Sequence, residues 1–128
     1  MLSNRAIDRI SEMLVLRRTG MEQDWDVELA DAGRLSEFVD VYARPDLSRE
    51  DKAALMALIL ASVDRDVEAN GRAPAAWDLI SVHIQADWDL HESRVRYWRC
   101  DDTDDPDSWF HLTPYVRRLA PRGAKPDV

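Results

Sequence analysis

Cysteine is almost missing from this chain. Cys100 is the only one in 128 residues, so no disulfide can close within it. Its neighbours Asp101 and Asp102 oppose a thiolate, which argues against a cysteine nucleophile. Glycine is scarce too. Gly20, Gly33, Gly71 and Gly123 stand singly, so no glycine-rich run is present to cradle a phosphate. The chain also lacks a G-x-S-x-G elbow, an H-E-x-x-H helix and paired cysteines, the usual marks of a serine hydrolase or a zinc site. Long apolar runs are absent: the longest, "AALMALILA" at residues 53–61, falls far short of the ~18 residues a membrane span needs. Residues 1–18 carry charges throughout, with no apolar core of a secretory signal. A cytoplasmic location without membrane association is therefore expected. Lysine occurs only at Lys52 and Lys125, against fifteen arginines, a usage that suits a GC-rich bacterial genome.

Acid, by contrast, is plentiful. Asp and Glu total 25 against 17 Lys and Arg, a net charge of −8. That balance repels nucleic-acid phosphates and favours a partner with a basic surface. With 45% hydrophobic residues the chain can build a core despite its 33% charged content.

The apolar spacing predicts a mainly α fold. A first helix is expected over 4–18, capped by Ser3, with Ile7, Ile10, Met13 and Leu14 at helical spacing and Arg17 and Arg18 in its last turn. In "DWDVELAD", residues 24–31, Trp25, Val27 and Leu29 alternate with acids, the period of a short strand or extended segment near 24–30. A second helix over 32–43 places Leu35, Phe38, Val39 and Tyr42 on one face and stops before Pro45. The third is expected to be central. Ser48 and Asp51 form a capping-box pair, residues 53–61 are apolar all round, and "NG" at 70–71 ends it. Beyond Pro74, one stripe of Trp77, Ile80, Ile84, Trp88, His91, Val95 and Trp98 predicts a single long helix over 75–99, against a competing reading that breaks it near Asp89 and makes 94–99 a strand. An acidic loop at 100–108 follows, then a short final helix with Thr113 as N-cap and Pro114 as its first residue. The expected architecture is a compact bundle of four to five helices over 1–120, with a flexible tail at 121–128.

"HIQADWDLHES", residues 83–93, carries the strongest hint of chemistry. His83, Asp87 and His91 stand four apart, and residues i and i+4 on a helix can share a metal ion. Residues i and i+8 lie about 12 Å apart on a straight helix, at a 1.5 Å rise per residue. One helix therefore offers any ion at most two of these ligands, and a third would come from His111 or the acidic loop. The favoured expectation is that Asp87 bonds to one histidine while His91 packs in the stripe, with no metal, no cofactor and no catalytic residue. A small metal-dependent enzyme built on His83, Asp87, His91 and His111 is the alternative, and a small-ligand regulator with a tryptophan-lined pocket is a third.

The acids concentrate where no core is expected. Asp24 and Asp26 flank Trp25, and Asp101, Asp102, Asp104, Asp105 and Asp107 precede Trp109. The loop does not match a calcium EF-hand: counted from Asp101, Pro106 and Leu112 stand where glycine and glutamate are required. Each segment offers an aromatic anchor with a carboxylate rim, the makeup of a protein-binding hot spot. Arg94, Arg96 and Arg99 and the group at Arg117, Arg118 and Arg122 read as helix C-terminal residues that complement the dipole and pair with the aspartates. The function expected is a non-enzymatic protein-binding module, of the immunity or antitoxin kind, that occludes a basic partner.

Overall fold

The structure, a computed structural model, describes residues 2–121, and the expected tail at 121–128 lies outside them except for Pro121. Seven α-helices and two 3₁₀ turns make up the described residues, with no strand among them. The fold is an all-helical bundle. No helix among the described residues is long and apolar enough to cross a membrane.

Helix α1, Asn4–Met13, starts at Ser3, whose hydroxyl accepts the Ala6 N–H at 3.1 Å. It ends a turn earlier than expected. Leu14 stays buried in the core, and Val15 swings to φ 51°, a left-handed conformation that a β-branched residue adopts only under constraint. The Val15 N–H returns to the Glu12 carbonyl and the Leu16 N–H to that of Ser11, closing the helix. Arg17 and Arg18 therefore lie beyond it rather than in its last turn.

The segment expected to be extended is instead a single helical turn, α2, Trp25–Glu28. Trp25 and Asp26 both turn inward while Val27 faces out, an arrangement that alternation forbids. A strand here would have no neighbour to pair its backbone, and the turn satisfies that backbone locally, with Glu28 N bonded to the Asp24 carbonyl at 2.9 Å.

A 3₁₀ turn, Ala32–Arg34, leads into α3, Leu35–Tyr42. The expected face of Leu35, Phe38, Val39 and Tyr42 is buried. Helix α4, Arg49–Asn70, is the central element. Both arms of its capping box form, Asp51 N to Ser48 Oγ at 3.1 Å and Ser48 N to Asp51 Oδ2 at 3.0 Å, and Gly71 closes its far end at φ 73°. From Ala54 to Val63 every side chain is buried, because α1, α2, α3 and α6 pack around it.

The long helix expected over 75–99 is two helices, α5, Trp77–Ala86, and α6, Trp88–Arg99, broken at Asp87 (φ −113°, ψ 39°). Ile80, Ile84, His91, Val95 and Trp98 of the stripe are still buried, so the apolar period runs through the break and favours an unbroken helix, while residues 94–99 are helical and not a strand. A 3₁₀ turn, Pro106–Ser108, and α7, Thr113–Val116, complete the chain. Leu112, not Thr113, holds the cap position. Thr113 is buried and donates its hydroxyl to the Trp98 carbonyl at 2.7 Å, and the Leu112 N–H bonds Asp64 of α4 at 2.8 Å. These bonds set the acidic loop beside the end of α6.

Candidate functional site

The break at Asp87 gathers side chains from four helices around one phenol. Tyr42 comes from the end of α3, His83 from α5, His91 from α6 and Lys52 from the start of α4. Tyr42 Oη lies 2.8 Å from Asp87 Oδ2 and 2.6 Å from His91 Nε2. An ionised carboxylate can only accept, so the hydroxyl donates to Asp87 and its oxygen accepts the His91 Nε2–H. That assigns the tautomer of His91. The His83 ring packs 4.8 Å from the Tyr42 ring, and Lys52 Nζ lies 4.0 Å from Asp87 Oδ2.

Burial governs the proton affinities here. It pushes the Tyr42 phenol well above its ordinary range, and Asp87 acts in the same direction. It also lowers His91 to about 4, with Asp87 offsetting only part of the effect, and holds His83 below its usual value. Neutral His91 and a tyrosine engaged on both sides are the chemistry of a closed polar clasp.

The straight-helix argument against shared ligation loses its premise at the break, and the Tyr42 ring packs against both histidines, 4.8 Å from His83 and 5.9 Å from His91. No group of three His, Cys, Asp or Glu side chains among the described residues could hold a metal ion. His111 lies apart, exposed, 4.0 Å from Glu68 Oε1.

The first acidic segment is not the expected rim. Trp25 is 5% exposed, with its indole N–H bonded to Ser11 Oγ at 3.0 Å, so it is a core residue rather than a surface anchor. Asp26 is buried against Arg94 at 3.4 Å. Glu22 accepts the Thr19 and Gly20 N–H groups and Glu28 accepts that of Asp24, so both carboxylates hold their own turns together.

The loop at 100–108 is built rather than merely solvated. Trp109 is half-buried, and its indole N–H donates to the Thr103 carbonyl at 3.0 Å. The Arg117 guanidinium lies 4.1 Å from the Trp109 ring centroid and donates to the carbonyls of Arg99, Cys100 and Thr103, each at 2.8 Å. Arg117, the residue that follows α7, thus satisfies the last carbonyls of α6 while pinning the loop, and Trp109 has one face covered. The loop aspartates stay at the surface. Asp101 pairs with Arg99 at 3.1 Å and Asp104 approaches Arg117 at 3.9 Å, while Asp102, Asp105 and Asp107 have no ionic partner among the described residues.

Two aromatics outside the expected binding segments lie beside this loop. Tyr97 is 50% exposed and Phe110 36% exposed, with ring centroids 5.4 Å apart. Phe110 also packs against buried Trp98 at 4.7 Å. With Cys100, Asp101 and Asp102 they border an open cavity of about 670 Å³. The off-stripe position of Tyr97, one residue before Trp98, was the signal that could have found it. Phe110, inside "WFHL", gave none. Among the described residues, Trp25 borders a cavity of about 350 Å³ beside α2 and Trp88 one of about 340 Å³ beside α6.

No protein-family model, curated protein or solved structure matches this chain.

Proposed function

We propose that this chain is a protein-binding module of a bacterial cytoplasm, of the immunity or antitoxin kind, that holds a basic partner against the loop at 100–108 without doing chemistry. The observation that carries this reading is the exposed pair Tyr97 and Phe110 set beside Asp102, Asp105 and Asp107, which have no ionic partner among the described residues. Exposed aromatics supply contact area at small entropic cost, and the carboxylates around them steer a cationic surface inward. The anchor is therefore this pair, in place of Trp25 and Trp109. A net charge of −8 reinforces the steering and disfavours self-association through the same face.

The test uses the partner captured from the cells that make the protein. Asp101, Asp102, Asp104, Asp105 and Asp107 are all replaced by Asn, and association is followed at low and high salt. Asparagine keeps the shape of each side chain, including the Asp105 cap on the Asp107 N–H. Association should slow by about tenfold at low salt, and its salt dependence should flatten. An unchanged on-rate and salt slope, with the circular dichroism spectrum intact, would overturn the proposal.

A further inference from the structure

The cavity beside Asp102 has features that select among cations. The arginine on its border is already committed, since Arg96 pairs with Glu92 at 2.6 Å, and nearby Arg99 pairs with the bordering Asp101 at 3.1 Å. Asp102, on the border, is the carboxylate left without an ionic partner among the described residues. The border also carries two aromatics, Tyr97 and Phe110, with ring centroids 5.4 Å apart.

We propose that this cavity is an arginine-recognition pocket, filled by a guanidinium from a basic segment of the partner protein. The inference rests on the protein-binding reading and names what the partner presents. A guanidinium is planar, weakly hydrated and able to meet a carboxylate with two parallel N–H groups while lying against an aromatic surface. An ammonium is compact and strongly hydrated, and gains less from the aromatic border. The fold already uses this chemistry one step away, where Arg117 lies on Trp109 at 4.1 Å and donates to three carbonyls. Arg94 likewise sits 5.9 Å from the Tyr97 ring centroid. An incoming arginine would meet at Asp102, Tyr97 and Phe110 the same pairing of an oxygen acceptor with an aromatic ring. The remaining loop carboxylates, Asp105 and Asp107, add attraction that does not distinguish one cation from another.

Two short peptides test this, one alternating arginine with serine and one alternating lysine with serine, titrated into the full chain by calorimetry. The arginine peptide should bind about fivefold more tightly, the factor that ~1 kcal/mol of cation–aromatic contact supplies. Asp102→Asn should weaken both peptides. Tyr97→Ala and Phe110→Leu should erase the difference between them and leave the lysine peptide unchanged. Phe110 packs on Trp98, so its variant is read only if its thermal midpoint is preserved; Tyr97, half exposed, decides the question otherwise. Equal affinities for the two peptides, or a preference that survives Tyr97→Ala, would overturn the arginine pocket while salt-sensitive binding of both left the acidic face standing. Binding of neither peptide also overturns the pocket, and the protein-binding reading is then decided separately by the loop variant and the captured partner.

Discussion

Acidification should weaken the fold through His91 well before the carboxylates begin to protonate. His91 is 1% exposed, and burial lowers its pKa from 6.5 to about 4. Between those values the unfolded chain binds a proton that the folded chain refuses, so stability is complete above the unfolded value and falls as the pH drops toward the folded one. The full shift corresponds to about 3 kcal/mol, and about 2 kcal/mol of it should be gone at about pH 5 relative to about pH 7.5. Carboxylates whose pKa is depressed, such as Asp46 beside Arg44 and Asp89 beside Arg49, withdraw their contribution only below their ordinary range near 3.8, so the window above pH 5 belongs to the imidazoles. His83 shifts in the same direction, and for that reason the measurement needs a variant that removes only one ring. His91→Leu keeps an apolar side chain in the stripe and leaves Tyr42 bonded to Asp87. Urea unfolding followed by tryptophan fluorescence, repeated across this pH range, should give a shallower pH dependence in the variant by about 2 kcal/mol, at constant m value. Parallel curves for the two proteins would refute the reasoning, because His91 would then titrate alike in the folded and unfolded chains.

Two further substitutions probe the same framework. Tyr42→Phe removes the hydroxyl shared by Asp87 and His91 and leaves a buried imidazole N–H without its acceptor, so the urea midpoint should fall by the equivalent of about 2 kcal/mol; a loss under about 0.5 kcal/mol would mean the clasp adds nothing beyond ring packing. Val15→Gly should raise the thermal midpoint: relief of the left-handed backbone is worth about 1–2 kcal/mol, glycine's extra chain entropy takes back about 0.5–1, and the side chain is 80% exposed. A lower midpoint would show that the side chain makes a contact worth more than the backbone strain.

Much of the fold was legible because it is written in local patterns. The all-helical class, the central helix α4 with its Ser48–Asp51 box and Gly71 stop, and the buried face of α3 all follow from capping chemistry and a 3.6-residue period, which act within a few residues of one another. The expected strand at 24–30 failed because the five residues of alternation from Trp25 to Leu29 cannot separate a strand from one helical turn when no partner strand exists among the described residues. The candidate site was read less well for a related reason. Trp25 and Trp109 carry the same residue type in similarly acidic company, yet Ser11 from α1 draws one inward and Arg117, just after α7, covers a face of the other.

The sequence by itself determined that this chain makes helices, where the central one begins and ends, and that its charge is acidic and concentrated. Tertiary structure alone decided that the helix carrying "HIQADWDLHES" breaks at Asp87, that Tyr42 packs against both histidines, and that Trp25 is buried while Tyr97 and Phe110 are exposed beside the loop. The division has one physical cause: capping and periodicity are set by near neighbours in the chain, whereas a bent helix, a buried phenol and an exposed ring depend on partners 13 to 49 residues away, as with Phe110 beside Tyr97 and His91 beside Tyr42.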